Sequence, residues 1–354
     1  NMAAALRVRG DLDMEMLNRA FAETMARQES LRTRFEERNG QPVQVVDDPP
    51  QAFEIPVRDL SGAAADAVME DVREEIRAMT GAPFRLDAGP LFRALLIRIS
   101  DEDHVLTLAM HHIISDGWSI TVLLREIGAI YNALFRGEAV PPQGPKVRFA
   151  DYAAWLRQRL EAEESRAKLA YWQDLLRDAP GPLELPFDYP RPELMDSRGT
   201  GGQVPFRIDP ETSGMLADRC KRLGATPFMA MLAAVYVLLS KYSGSGDICI
   251  GTSVANRNRP EIEGLIGLFV NTLALRLKSS GDSSFDDLLA TVRTEALTAF
   301  EHAEIPFEKV VEAVNPERHM NRTPLFQVMV IQQNTPRIEL KLGECGVEPF
   351  DLGP

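Results

Sequence analysis

Apolar residues recur at helical spacing in some segments and form short runs in others, which predicts alternating helices and strands. A helix beginning near Asp13, an N-cap residue type, carries Leu17, Ala20, Phe21 and Met25 on one face. Two apolar runs separated by the polar residues 100–103 predict a pair of adjacent strands. The first half is thus predicted to hold strands at 3–9, 43–46, 92–99 and 104–110 and helices at 13–25, 64–79, 118–135 and 149–176.

A proline- and glycine-rich stretch, 179–205, interrupts this alternation and predicts a connector, because proline removes backbone donors and glycine loosens the chain. After it, strands are predicted at 203–208, 248–251 and 325–332, and helices at 210–223, from Thr226 onward and at 285–303. The pattern predicts an α/β (α+β) fold with an N-terminal lobe, 1–178, and a C-terminal lobe, 206–354, that enclose a cleft.

Composition narrows the function classes. Hydrophobic residues make up 45% and charged residues 26% of the chain, as in soluble globular proteins. The net charge of −13 disfavours nucleic-acid and anionic-membrane partners. The longest apolar run, 228–239, is shorter than the ~20 residues of a membrane helix. Three separated cysteines, Cys220, Cys249 and Cys345, fit thiols in a reducing cytoplasm, which is the expected compartment.

The main chemical candidate is the segment from Met110 to Ser119, which reads MHHIISDGWS. His111 and His112 follow an apolar strand directly, and neighbouring side chains at a strand end point to opposite sides. One imidazole can therefore face a cleft while the other faces the interior, and Asp116 can hold the loop through a buried ion pair. Two alternatives stay open: two structural histidines with Asp116 as a helix N-cap, or a zinc site.

The segment resembles the HHxxxDG motif of non-ribosomal peptide synthetase condensation domains. Five further segments resemble motifs of that family in the same order. They are RQESLRTRF at 27–35, FADYAAW at 149–155, IGLFVNT at 266–272, IPFE at 305–308 and RTPL at 322–325.

The resemblance implies a chloramphenicol acetyltransferase-like fold, in which two lobes form a V-shaped pseudo-dimer with a central tunnel. It also implies amide-bond formation between acyl groups that donor and acceptor peptidyl carrier proteins deliver on phosphopantetheine arms, without a tightly bound cofactor or metal. Neighbouring synthetase domains are the other implied partners. The L-donor subtype of condensation domain is the most similar.

The family's residue roles carry over by motif position. His112 corresponds to the catalytic histidine, His111 to its structural neighbour, and Asp116 to an aspartate that pairs with an arginine. Arg257 is the candidate arginine, although Arg259 lies two residues on. Gly117 is expected to permit a tight turn. Candidates for lining the implied tunnel are Trp118, Ser253, Asn271 and Thr272.

Two departures from the family pattern are present. Gln28 replaces a histidine of the RHExLRTxF motif, and His302-Ala303-Glu304 replaces His-Gln-Asp. The family's first motif and last strands are also missing, so both ends are expected to be truncated. Competing hypotheses are a stand-alone acyltransferase that uses coenzyme A, an epimerisation domain, and a non-catalytic domain that recruits a partner enzyme.

Overall fold

The computed structural model describes residues 1–64, 67–141, 144–189, 201–279, 281–316, 322–333 and 340–351. The chain divides into two compact units, each assembled from segments that are distant in sequence. The first comprises Asn1–Trp155, Arg257–Phe269 and Asn334–Pro354, and the second comprises Leu156–Asn256 and Val270–Gln333.

Within the described ranges, strands and helices alternate along the chain. The strands are β1 (Met2–Arg9), β2 (Thr33–Arg38), β3 (Gln41–Val46), β4 (Val57–Asp59), β5 (Phe92–Ser100), β6 (Asp103–Met110), β7 (Asp247–Val254), β8 (Asn271–Lys278) and β9 (Gly346–Pro349). The helices are α1 (Met14–Arg27), α2 (Val68–Gly81), α3 (Gly117–Phe135), α4 (Phe149–Leu160), α5 (Glu163–Leu176), α6 (Pro210–Arg222), α7 (Pro227–Ser243), α8 (Pro260–Glu263), α9 (Phe285–Glu301) and α10 (Phe307–Val314). The mixed α/β class is therefore confirmed.

The main sheet of the first unit places β6 at its centre. Its described strands run in the order β4-β5-β6-β1-β9, with β4 parallel to β5 and the remaining neighbours antiparallel. The adjacent β5 and β6 confirm the predicted strand pair, with Phe92 opposite Met110. The chain leaves this central strand directly into His111, so the sheet fixes where the histidine loop begins.

Helices cover both faces of this sheet because successive side chains of a strand point to opposite sides. On one face, Val105 and Ile97 pack with Val72 and Ile76 of α2. On the other face lie α1 and α3, and the shared core consists of Leu17, Phe21, Leu96, Leu106, Leu108, Leu123, Ile127 and Tyr131. The two helices that carry site residues at their ends, α1 and α3, therefore pack on the same face of this sheet.

The second unit has its own core around the antiparallel pair of β7 and β8. Its buried members include Trp172, Phe228, Leu232, Tyr236, Ile250, Leu275, Leu289 and Val292. The helix predicted from Thr226 onward is α7, which Thr226 caps, since its hydroxyl accepts from Met229 N and Pro227 occupies the first turn.

Three predicted elements differ from the structure. The segment 149–176 is two helices rather than one, because Ala162 takes an extended conformation between α4 and α5. Residues 203–208 lie among the described ranges but form no strand. Residues 325–332 contribute only an isolated parallel bridge, between Met329 and Gly251.

The boundaries of the two compact units differ from those of the expected lobes, 1–178 and 206–354. The stretch 156–178 belongs to the second unit, because Trp172 and Leu176 are buried in its core. The stretch 257–269 belongs to the first unit, where Ile266 is part of the core. Of the expected connector, 179–205, residues 190–200 lie outside the described residues.

Across the ranges described above, no single helix is long and apolar enough to cross a membrane. Among the helices that the structure describes, only α6 and α7 taken together reach the required length and composition, and they are bent by 106°.

Candidate functional site

The histidine loop holds one exposed imidazole in a defined orientation. His112 begins a short 3₁₀ turn, His112–Ile114, and its side chain is exposed. Its Nδ1 lies 2.8 Å from the carbonyl oxygen of Ser115. A carbonyl oxygen can only accept a hydrogen bond, so in the neutral ring Nδ1 carries the proton. The lone pair is then on Nε2, on the side of the ring away from this contact.

His111 plays a different part in the loop. Its side chain is half-buried, its Nδ1 accepts a hydrogen bond from Ile113 N at 3.0 Å, and its ring meets Phe84 edge-on with centroids 6.1 Å apart. Burial lowers the pKa of this imidazole below its ordinary value. His111 is thus a neutral brace that caps the turn.

Asp116 is the buried anchor of the loop. As the N-cap of α3, its Oδ1 accepts from Ser119 N at 2.8 Å and from the Ser119 hydroxyl at 2.7 Å. Its Oδ2 accepts from Phe269 N at 3.1 Å. The N-cap role and the ion-pair role, which the sequence left as alternatives, are both present.

Arg257 is the cation that pairs with Asp116. Its Nη2 lies 3.0 Å from Asp116 Oδ1, and the two side chains are only 2% and 3% exposed. Burial lowers the pKa of the guanidinium and the Asp116 carboxylate opposes that shift. The other candidate, Arg259, instead lies with its guanidinium carbon 4.7 Å from the centroid of the Trp155 ring.

A segment without regular structure, residues 264–269, is held by side chains that converge on its backbone; we call it the braced segment. Gln28 donates to Gly264 O at 3.0 Å and accepts from Ile266 N at 3.0 Å. The Ser30 hydroxyl donates to Ile266 O at 2.6 Å. The Ser119 hydroxyl accepts from Gly267 N at 3.1 Å.

Arg257 contributes further to this arrangement. Its Nη1 donates to the carbonyls of Ile262 at 2.8 Å and Leu265 at 2.7 Å. Because buried backbone groups need partners, these side chains replace the ladder that a strand or helix would supply. Ser30 and Ser119 were missed as site residues. The signal for Ser119 was present, since Asp-x-x-Ser before an apolar helix is a capping pattern.

Gly117 does not serve the turn that was expected of it. It is the first residue of α3, its φ lies outside the left-handed range, and a Cβ added there would meet no described atom within 4 Å. The backbone therefore does not require glycine at this position. Trp118 uses its indole N–H to donate to Glu263 O at 2.9 Å.

The remaining candidates belong to the second unit. Ser253 and Thr272 are half-buried cross-strand partners on β7 and β8. The Asn271 amide is occupied within its own unit, since Nδ2 donates to the carbonyls of Ala303 at 2.8 Å and Ile305 at 2.7 Å. Its Oδ1 accepts from Phe307 N at 3.0 Å. These bonds make Asn271 a brace for the turn between α9 and α10.

Within the same described ranges, no group of three or more histidine, cysteine, aspartate or glutamate side chains could hold a metal ion. An exposed ring nitrogen with a free lone pair can accept a hydrogen bond or a proton.

The chain is similar to known proteins in both sequence and fold. The sequence profile described as "Condensation domain" matches residues 1–345. Malpinin synthetase from Mortierella alpina is 41% identical over 353 residues, and malpibaldin synthetase from the same organism is 39% identical over 359 residues. Each match covers 99% of this chain but only 4% and 6% of the respective relative.

The solved X-domain from teicoplanin biosynthesis has a similar fold. The TM-score is 0.88 at 28% identity, and the match covers 99% of this chain and 77% of that chain. Together with the profile match over residues 1–345, this likeness establishes the family. The chain belongs to the condensation domain family.

Proposed function

We propose that this chain forms an amide bond by attack of an acceptor aminoacyl amine on a donor thioester, with His112 at the reaction centre. Condensation domains of non-ribosomal peptide synthetases catalyse this acyl transfer, and their substrates arrive on the phosphopantetheine arms of carrier proteins. The proposed partners are a donor and an acceptor peptidyl carrier protein and the neighbouring synthetase domains. The proposed subtype is the L-donor one, and the proposed compartment is the cytoplasm.

The observation that carries this proposal is the orientation of the His112 ring. Because Nδ1 donates to Ser115 O at 2.8 Å, Nε2 keeps its lone pair. The side chain is also exposed. A group that must receive a hydrogen bond from an incoming amine needs both properties. His111 has neither property in full, since its side chain is half-buried and the lone pair on its Nδ1 accepts from Ile113 N.

The reaction asks little of the protein beyond orientation. A thioester is already activated, and an α-amine with a pKa of ~8 is partly unprotonated at neutral pH. In the proposed step the amine nitrogen bonds to the carbonyl carbon, the carbon–sulfur bond breaks, and the amine proton passes through His112 Nε2 to the leaving thiolate. Holding the amine and the carbonyl together can contribute about 7–11 kcal/mol.

The test is dipeptidyl thioester formation with loaded carrier proteins. His112→Ala is expected to lower turnover by about 10²- to 10⁴-fold, the range of a lost acid–base or hydrogen-bonding group. The control is His302→Ala, because His302 Nδ1 also bonds a carbonyl, Thr298 O, at 2.7 Å, but the residue lies in the second unit. This control is expected to keep wild-type turnover.

Wild-type turnover by a folded His112→Ala variant would contradict the assignment. A chain that acylates amines from coenzyme A thioesters but not from carrier-bound ones would instead be a stand-alone acyltransferase. A chain that binds carrier proteins without turnover would be a recruitment domain.

A further inference from the structure

Gln28 makes an unusual set of contacts for a residue outside the histidine loop. It is the C-cap of α1, is 2% exposed, and uses both polar atoms of its amide. Nε2 donates to Glu126 Oε2 at 2.9 Å and to Gly264 O at 3.0 Å, while Oε1 accepts from Ile266 N at 3.0 Å. A single amide therefore ties α1, α3 and the braced segment together.

The braced segment leads from Gln28 to the anchor of the histidine loop. Gly267 follows Ile266 and is bound by Ser119 Oγ at 3.1 Å, and Phe269 N donates to Asp116 Oδ2 at 3.1 Å. Asp116 in turn lies four positions after His112 in the same short loop. Consecutive hydrogen-bonded residues of the braced segment thus connect Ile266 to the carboxylate that fixes the loop.

We propose that Gln28 is a positioning residue of the condensation reaction, which acts on His112 through the braced segment and Asp116. This inference rests on the function proposed above and extends it to a residue that touches no substrate.

The neutral amide suits this place because its surroundings are already charged. Glu126 comes from α3, and Arg27 Nη1 lies 3.7 Å from Glu126 Oε1. The position needs two donors and an acceptor at once. An amide provides all three, whereas a neutral imidazole has only one donor and one acceptor.

The experiment compares two replacements of similar shape in the full chain. Gln28→Met removes the three contacts and keeps the volume. The matched control is Asn132→Leu, because Asn132 lies on α3 and its amide makes the same kind of contacts. Its Nδ2 donates to Gly128 O at 2.7 Å and Lys341 O at 2.7 Å, and its Oδ1 accepts from Gly343 N at 2.8 Å. These bonds brace a different segment, 341–343.

Both variants are expected to lower Tm, since each removes the hydrogen bonds that the amide makes with backbone groups. Only Gln28→Met is expected to lower kcat, by about 10- to 100-fold, with KM for the carrier proteins changed less than about 2-fold. It should also move the imidazole NMR resonance of His112, assigned with the His112→Ala variant among the five histidines. Gln28→His, which can restore part of the contacts, should recover part of kcat.

The inference is overturned if Gln28→Met keeps wild-type kcat, or if Asn132→Leu lowers kcat equally. It is also overturned if the histidine variant is no more active than the methionine variant. If the wild-type chain forms no amide, or His112→Ala is fully active, then the proposed function has failed rather than the role of Gln28.

Discussion

The Asp116–Arg257 pair offers a direct test of how the histidine loop is held. Both side chains are nearly inaccessible to water, so removing one partner leaves the other charge buried without its counterion. Arg257→Met keeps the apolar stem of the side chain and removes the guanidinium. Asp116→Ala removes the carboxylate and the N-cap together.

The two variants are expected to lose different amounts of unfolding free energy. Breaking a buried pair costs about 3–5 kcal/mol. In Arg257→Met the Asp116 carboxylate still accepts from Ser119 N and Phe269 N, which places the loss near ~3 kcal/mol, at the lower end of that range. Asp116→Ala also loses a helix cap worth ~1 kcal/mol, which places its loss near ~5 kcal/mol.

Because the two residues are in contact, their effects should not add. The unfolding free energy that the double variant loses is expected to be smaller than the sum of the two single losses, by about 1–3 kcal/mol. The assay is urea unfolding followed by tryptophan fluorescence, with every variant made in a Trp172→Phe background. The signal then comes from Trp118 and Trp155, which both lie in the first unit.

The control is an exposed ion pair, Arg136 with Glu138, whose side chains are each 55% exposed. Its removal should change the unfolding free energy by less than ~1 kcal/mol. If Arg257→Met costs no more than this control, the buried pair does not anchor the loop.

Two glycines of the site should respond in opposite ways to alanine. Gly267→Ala would place a Cβ far inside van der Waals distance of the Phe149 ring, so we expect a loss of about 1–3 kcal/mol in urea unfolding. Gly117→Ala meets no described atom within 4 Å, so its unfolding free energy should be unchanged or raised by up to ~1 kcal/mol, the difference in helix propensity between alanine and glycine. Gly214→Ala, an open glycine of α6, is the control for both, and a reversed order of the two variants would refute this interpretation.

The sequence predicted best what depends on local spacing. The cap of α1 by Asp13, the pairing of β5 with β6, and the capped start of α7 follow from residues that lie within a few positions of one another. The prediction of a strand at 203–208 was wrong because a strand also needs a partner. Alternating apolar and polar residues indicate which side chains share a face, but they do not specify a partner strand. Val204 and Phe206 are 88% and 87% exposed there.

The sequence likewise predicted one part of the candidate site and missed another. The pairing of Asp116 with Arg257 was anticipated by motif position, across 141 residues of sequence. The sequence did not predict that residues 257–269 belong to the first unit. Side chains such as Gln28 hold the backbone of this stretch there, and not a regular element that a sequence pattern could indicate. A glutamine at the end of a helix gives no sequence signal for such a contact.

In the proposed reaction, the contacts of the His112 ring limit how far this residue could act as a base. Nδ1 donates to the carbonyl of Ser115, which carries no net charge, whereas Asp116, the acid of the same loop, is committed to Arg257. An imidazolium formed on His112 would therefore lack the stabilisation that a paired carboxylate gives to the histidine of a catalytic triad. A thioester attacked by a neutral amine needs less of that help than an ester or amide substrate. For the proposed function, the arrangement thus favours a histidine that orients the amine through Nε2 and receives its proton only as the carbon–nitrogen bond forms.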